Sequence, residues 1–379
     1  MTPFFLFLIP LLAGIGFFFY FFLRRICRTL EWGEEGKKRK IILMTLSILL
    51  AAVTSVIFSS FGIVAIFLLH VVGVGLVFQG INGILRLCLK EKYQNGLKFW
   101  KLCYGSGLYT ILGAIAAILL GVINLNNVVM TGYTIRTDKS IREEGYRIAL
   151  LADIHYGVSL DGEELSKLCE EINRQEPDLV ILCGDIVDSS TAAEEMRELF
   201  SILGTLQSEF GTFFVYGNHD RTFSLMKNSF TNEELADSIR SNGITILQDD
   251  SRQITEDLLL VGREDRSHSR TGRERKTVGE LLKNADPADF ILMLDHQPSE
   301  YAEQGESGTD LLLSGHTHGG QLFPLNLLMR IIPFNDGTYG TYALSNGGTA
   351  LITSGVAGWN FPIKTAAPAE YVMIDLKKH

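Results

Sequence analysis

The sequence predicts an α/β domain behind a helical membrane module, on two observations. From Tyr146 onward, short continuous runs of Val, Ile and Leu alternate with helical patterns, which is the rhythm of an α/β fold. In the first third, four apolar runs approach or exceed the roughly 20 residues that cross a bilayer. A third observation places the chemistry: the polar residues that follow the apolar runs are repeatedly Asp, Asn and His.

The four runs are Phe4–Leu23, Ile41–Ser60, Phe61–Leu89 with polar interruptions, and Leu108–Met130. No amphipathic face separates them, so they read as four transmembrane helices rather than buried helices of a soluble protein. No basic residue precedes the first run, and Arg24, Arg25 and Arg28 follow it. It therefore reads as a retained span and not a secretory signal. Arg24, Arg25, Arg28 and Lys37, Lys38, Arg39, Lys40 lie between the first and second runs; Lys90, Lys92, Lys98 and Lys101 lie between the third and fourth. Short basic loops stay cytoplasmic. The turn at Ser59–Ser60 and the Asn124–Asn127 end carry no Lys or Arg, which predicts the N-terminus and everything after residue 131 outside the cytoplasm. His70, Gln79 and Asn82 in the third run read as interhelical hydrogen-bonding groups.

The expected organisation is a transmembrane module over 1–131, a polar connection over 132–145 (GYTIRTDKSIREEG), and a domain over 146–379. The domain opens with the strand YRIALLA and a helix over Glu163–Gln175. DLVILC precedes a helix over Ala192–Gln207, and TFFVYG precedes one over Asn232–Ser241; ITIL, LLLV, DFILMLD, DLLLSG, ALITSG and EYVMIDL follow. Strands that read as unbroken Val/Ile/Leu are covered on both faces, so sheets sandwiched by helices are expected.

Charge supports the division. Residues 1–131 carry 12 Lys and Arg against 4 Asp and Glu, a net of +8, so the remainder carries −17 of the chain's −9. An acidic domain repels phosphate backbones, and no nucleic-acid partner is expected. Only Cys169 and Cys183 fall in the domain, which excludes a disulfide framework. Both read as core residues, with a single bridge between them as the alternative.

Five strand ends supply polar groups: Asp153 and His155 in LLADIH; Asp185 and Asp188 in LCGDIVD; Asn218, His219 and Asp220 in VYGNHD; His296 in LDHQP; His316 and His318 in LLLSGHTHGGQ. Five of the chain's eight histidines are among them. Strands of like direction bind ligands beyond their carboxyl ends, so these groups can converge. Alternate residues of an extended chain project to one side, which lets His316 and His318 aim at one spot. That spacing is the geometry of metal ligands.

DIH, GDIVD, GNHD, a later His and GHTHGG, in this order, resemble the calcineurin-like binuclear metallophosphoesterases, over about residues 146–376. GHTHGGQ, LDHQP and TSGVAGW are most similar to the membrane-associated bacterial branch related to YkuE and to UDP-diacylglucosamine hydrolases. The resemblance implies a four-layer αββα sandwich and two divalent metal ions, Mn²⁺ first. One ion would fall to Asp153, His155 and His318, the other to Asn218, His296 and His316, with Asp185 bridging. It further implies a bridging hydroxide as nucleophile, His219 as general acid or transition-state stabiliser, and Asp220 orienting His219. Gly184, Gly217 and Gly315 would allow sharp turns beside ligands, and Gly319 and Gly320 would keep bulk from the phosphate.

Two segments lie outside that set. GREDRSHSRTGRERK places six Lys and Arg between Arg263 and Lys276. It reads either as a solvated loop or as a lid in which Arg263, Arg266 or Arg270 grips a phosphate. Trp359 and Phe361 either line the site or meet the membrane interface. Asp188 reads as a turn residue, or as one that contacts a ligand side chain, rather than as a ligand itself. The expected activity is hydrolysis of a phosphodiester or pyrophosphate, with lipid-linked or envelope substrates first, by a multi-pass membrane enzyme whose domain faces outward. The competing readings are a phosphomonoesterase acting on small soluble phosphates and a non-catalytic membrane receptor for a phosphate ligand.

Overall fold

The computed structural model describes residues 2–56, 62–221, 229–272, 274–332 and 335–379, the side chains of 2–8 and 270–271 excepted. The chain divides into two units, 1–121 with 322–324, and 122–321 with 325–379.

The first unit contains α1 (Thr2–Thr29), α2 (Lys37–Ser55), α3 (Gly62–Asn95) and α4 (Lys98–Gly105), and most of α5 (Leu108–Leu125). Ile15, Phe19 and Phe22 of α1 pack with Ala51 of α2, Leu68, Val71 and Val72 of α3 and Ala114 of α5. Many large apolar side chains point outward, among them Phe17, Ile48, Leu76 and Leu120. Among the described residues three helical stretches are long and apolar enough to cross a membrane: Ile9–Thr29, Gly62–Asn95 and Leu108–Leu125. The second expected span is only partly described. Its helix α2 begins Lys-Lys-Arg-Lys, and these charges interrupt any 18-residue apolar window within it. The remainder of that run, with the Ser59–Ser60 turn, lies outside the described residues. Inside α3, Asn82 accepts from Tyr93 Oη at 2.6 Å and from Trp100 Nε1 of α4 at 3.1 Å. His70 Nδ1 lies 2.8 Å from the Ile66 carbonyl one turn back.

The second unit is built on two six-stranded mixed sheets. Its elements are β1 (Val129–Thr137), β2 (Tyr146–Leu151), α6 (Gly162–Asn173), β3 (Leu179–Cys183), α7 (Ala193–Leu203), β4 (Thr212–Val215), α8 (Asn232–Ser241) and β5 (Ile244–Ile246). They continue as β6 (Asp250–Thr255), β7 (Leu258–Gly262), α9 (Val278–Leu281), β8 (Phe290–Leu294), α10 (Tyr301–Glu306), β9 (Leu311–Ser314), α11 (Leu325–Ile331), β10 (Gly340–Ala343), β11 (Thr349–Ile352) and β12 (Glu370–Lys378). One sheet runs β1-β12-β2-β3-β4-β5, the other β10-β11-β9-β8-β7-β6.

Strand alternation sorts the core into layers. Ala149, Leu151, Val180, Leu182 and Phe214 face α6, α7 and α8 through Leu165, Leu199 and Leu235. The intervening Ile148, Leu150, Ile181 and Phe213 face the other sheet, meeting Leu260, Leu292, Leu294 and Leu313. Beyond it Leu259, Ile291, Met293 and Leu312 pack on Val278 and Leu282 around α9. The order is helix, sheet, sheet, helix. Each buried Leu, Ile or Val adds about 1.5–3 kcal/mol relative to exposure, so both inner strands and their loops have a rigid base. The helices are capped where the sequence allows: Asp161 accepts from Glu164 N at 2.9 Å, and Thr231 from Glu234 N at 3.1 Å.

Two expectations need correction. Residues 132–145 are not all connection, because Val129–Thr137 forms β1, which pairs in parallel with β12 from Val129 opposite Glu370 to Thr137 opposite Lys378. The fourth apolar run accordingly leaves its helix at Leu125. The cysteine reading holds: Cys169 and Cys183 are core residues, and both are free thiols.

Candidate metal centre

β2, β3 and β4 run parallel in the first sheet, and β8 and β9 run parallel in the second. The residues singled out from the sequence sit just past the carboxyl ends of these five strands. Asp153, Asp185, His296 and His316 each lie two positions beyond the last strand residue, and His155 and His318 four beyond. To turn side chains inward so soon after the ladder ends, Asp153, His155, Asp185, His316 and His318 all take positive φ, between 40° and 70°. Non-glycine residues hold such backbone only when their surroundings impose it, at a cost on the order of 1–3 kcal/mol each.

The result is two clusters. Donor atoms of Asp153, His155 and His318 lie within 4.8 Å of one another, as do those of Asp185, His296 and His316. His155 Nε2 is 3.3 Å from His318 Nε2. Asp185 Oδ2 reaches toward both clusters, 3.1 Å from His296 Nε2 and 3.8 Å from His155 Nε2. Asn218 contributes a buried Oδ1 with no hydrogen-bond partner. Buried acceptors are rarely left so, unless an ion or water completes them.

Second contacts fix which nitrogen of each ring is available. His296 Nδ1 lies 2.8 Å from the Cys183 carbonyl, and His318 Nδ1 lies 3.2 Å from the Ala357 carbonyl. Each Nδ1–H therefore donates to a carbonyl, and Nε2 turns its lone pair into the cluster. His155 Nδ1 stands 3.1 Å from Asp188 Oδ2. Burial opposes the Asp188 carboxylate, but His155 and Ser189 outweigh it and hold its pKa at about 2. Asp153 accepts the His316 amide on both oxygens at 3.0 Å. Burial, aided by His296, lowers the pKa of His316 to about 4, and burial with His155 carries His318 well below the usual histidine value. Both imidazoles are neutral, the form that ligates metal. His296 is buried too, yet Asp185 draws positive charge onto it and raises its pKa well above normal. The donor set is one in which carboxylates demand compensating cations, and it fits two divalent ions.

Two glycines make the approach possible. A Cβ on Gly184, at φ 80°, would stand 2.6 Å from His296 Nδ1, and one on Gly217 would strike the Asp185 carboxylate. Gly319 and Gly320 are closely packed as well. Their absent side chains leave room for Ala367 and Asn326.

His219 stands beside the first cluster, its ring centroid 5.2 Å from that of His155 and 5.4 Å from that of Trp359. Its amide donates to Asp185 Oδ1 at 2.8 Å, and burial lowers its pKa against the pull of Asp185. Trp359 thus lines the site. Asp220, expected to orient His219, does something else. Its Oδ2 accepts from the amides of Asp185 at 2.9 Å and Gly217 at 2.6 Å, and its Oδ1 from Ile186 at 2.8 Å and Val187 at 3.1 Å. Four amide donors on a fully buried carboxylate shape the turn that carries Asp185.

The basic segment divides. Arg263 does not grip a ligand. It is buried, with Nη1 3.0 Å from Asp295 and 2.8 Å from Glu300, the same two carboxylates that hold Arg275. Arg266 is exposed at the start of a 3-10 turn, and the side chain of Arg270 lies outside the described residues. Asp265 accepts from Gln297 Nε2 at 3.0 Å, next to His296.

Two residues were not singled out from the sequence. Gln321, three positions after His318, donates through Nε2 to the carbonyls of Trp359, Phe361 and Ile363 at 3.1–3.3 Å and accepts the Trp359 amide at 3.0 Å. It pins the Trp359 loop. Lys364, fully buried, donates to the carbonyls of Ser354, Gly355 and Ala357, the last shared with His318. Gln321 adjoins GHTHGG and Lys364 is the lone cation of NFPIKTAAPAE, the only signals that could have flagged them.

Comparison with known proteins agrees with this geometry. Residues 146–320 match the family profile described as calcineurin-like phosphoesterase. An uncharacterized metallophosphoesterase of Campylobacter jejuni is 28% identical over 258 residues, 67% of this chain and 66% of that protein. A Danio rerio protein described as a transmembrane protein with metallophosphoesterase domain is 28% identical over 289 residues, 72% of this chain and 64% of its own length. YkuE of Bacillus subtilis, an uncharacterized metallophosphoesterase, is 27% identical over 194 residues, 47% of this chain and 60% of that one. In each case the match spans less than two thirds of the relative. With these candidate donors clustered at four strand ends, the segment over residues 146–320 belongs to the calcineurin-like phosphoesterase family.

Proposed function

We propose that the chain is a membrane-anchored, metal-dependent phosphoesterase that hydrolyses a phosphodiester or pyrophosphate, with a lipid-linked or envelope substrate. The observation that carries the reading is the pair of donor clusters with Asp185 reaching toward both, together with the buried, unpartnered Oδ1 of Asn218 in the turn after β4. Asp153, His155 and His318 would hold one ion and Asn218, His296 and His316 the other, with Asp185 shared. Two divalent ions, Mn²⁺ first and Fe or Zn²⁺ as alternatives, would lower the pKa of a coordinated water and neutralise charge on phosphoryl oxygens. The protein supplies the rest. The carbonyls of Cys183 and Ala357 keep the His296 and His318 lone pairs directed inward. His219 moves a proton at the leaving oxygen or stabilises the charge that builds there, with the Trp359 ring packed 5.4 Å from its own.

Anchoring draws support from the three long apolar helices and from the Danio rerio relative's description. The basic loops at residues 24–40 and 90–101 support a domain outside the cytoplasm.

The test is hydrolysis of bis-p-nitrophenyl phosphate and p-nitrophenyl phosphate by the full chain with Mn²⁺, beside His219→Ala. A preference for the diester, with kcat lowered 10²- to 10⁴-fold in the variant and Mn²⁺ content unchanged, is expected. Preference for the monoester would favour the small-phosphate reading. No hydrolysis by a metal-loaded chain would favour a receptor.

A further inference from the structure

We propose that the first unit holds an anionic glycerophospholipid in a groove between α1 and α2, with its acyl chain on the apolar floor and its headgroup on Lys37 and Lys40. The proposal rests on the membrane-anchored reading.

The groove measures about 820 Å³. Its α1 wall is one helical face, Ile9, Ala13, Gly16, Phe17 and Tyr20 among others, and its α2 wall runs from Lys37 through Ile41, Met44 and Ile48 to Ala52. The floor is open because the residues there are small: a Cβ on Gly16 would only just touch Ala51, at 3.9 Å. From Lys37 to Ala52 the helix rises about 22 Å, more than the roughly 15 Å depth of one leaflet's hydrocarbon, so one acyl chain fits along it.

Charge selects the headgroup. The four arginines near this end of the helices each have a contact of their own. Arg24 and Arg28 share Glu35 at 3.2 and 2.7 Å, and Arg39 donates to the Gly33 carbonyl at 3.1 Å. Arg25 lies 3.8 Å from the centre of the Tyr104 ring. Lys37 and Lys40, which line the groove, have no polar partner among the described residues, and no carboxylate lines it. They are three apart on α2, so both project over the same mouth. An apolar trough ending in two unpaired ammonium groups complements a phosphate-bearing lipid, and juxtamembrane basic residues attract anionic lipid headgroups.

The experiment reconstitutes the full chain in nanodiscs of equal phosphatidylglycerol and phosphatidylcholine, transfers it to mild detergent and identifies retained lipid by native mass spectrometry. Wild type should retain phosphatidylglycerol with an enrichment on the order of tenfold. Lys37→Gln with Lys40→Gln should abolish the enrichment, and Ala13→Leu with Ala52→Leu should lower retention of both lipids. Equal retention in wild type, or enrichment that survives the lysine variant, would overturn the proposal. So would a chain dimer that only the groove-filling variant disrupts, since a second copy would then be the occupant. Co-elution of the chain with nanodiscs reads anchoring separately, and hydrolysis by the same samples reads the phosphoesterase activity.

Discussion

Replacing Asp220 by Asn separates two roles that the motif GNHD leaves confounded. If the carboxylate shapes the Asp185 turn, the substitution damages stability and metal binding together. Asn keeps one acceptor oxygen and can serve one pair of amides, either Ile186 and Val187 or Asp185 and Gly217. The other pair then faces an NH₂ group. Leaving a buried donor unsatisfied costs about 1–3 kcal/mol, so two of them cost roughly 4 kcal/mol. For a unit of this size that lowers Tm by about 8–16 °C, measured by thermal unfolding of the full chain in detergent. Because the amide and carboxylate of Asp185 move with the turn, Mn²⁺ affinity measured by titration calorimetry should fall as well. A variant that melts within about 2 °C of wild type and binds Mn²⁺ normally, yet has lost turnover, would refute this reasoning and return Asp220 to the task of orienting His219.

Two further outcomes follow from the site and its base. Gln321→Ala removes the pin on the Trp359 loop; it should raise KM for bis-p-nitrophenyl phosphate by roughly 3- to 10-fold, about 1 kcal/mol of binding, with kcat and Mn²⁺ affinity nearly unchanged. Weaker Mn²⁺ binding with KM untouched would show that the pin serves His318 instead. Asp257 receives the Tyr146 hydroxyl and the Arg142 amide, and although burial opposes the charge, these contacts and Thr255 depress its pKa. A depressed carboxylate stabilises the fold above the unfolded value of about 3.9 and loses that contribution as pH falls through the lower folded value. Asp257→Asn should therefore flatten the acid limb of a Tm-against-pH curve below about pH 4.

Much of the site was legible because its residues follow unbroken apolar runs that can only be inner strands. DIH, GDIVD, GNHD, DHQP and GHTHGG are all anchored at strand ends, and a parallel arrangement brings such ends together whatever their separation in sequence. The roles of Asp220 and Arg263 were not legible. Each depends on which buried partners a turn presents: four amides for one, two carboxylates for the other. Residue type alone made both look like functional groups. β1 was hidden for a different reason. As an edge strand with a largely exposed pattern, and with Gly132 and three threonines in VMTGYTIRT, it lacks the apolar continuity that marked the inner strands.

The central claim is that one carboxylate, Asp185, joins two ion sites at these strand ends. Elemental analysis of the full chain after dialysis against Mn²⁺ tests it most directly, with Asp185→Asn beside wild type and folding checked by circular dichroism. The account predicts about two bound ions per wild-type chain, in keeping with a paired-metal centre, and loss of metal and of diester hydrolysis together in the variant. A folded wild type that binds no ion or only one, or an Asp185→Asn chain that keeps both ions and full activity, would contradict it.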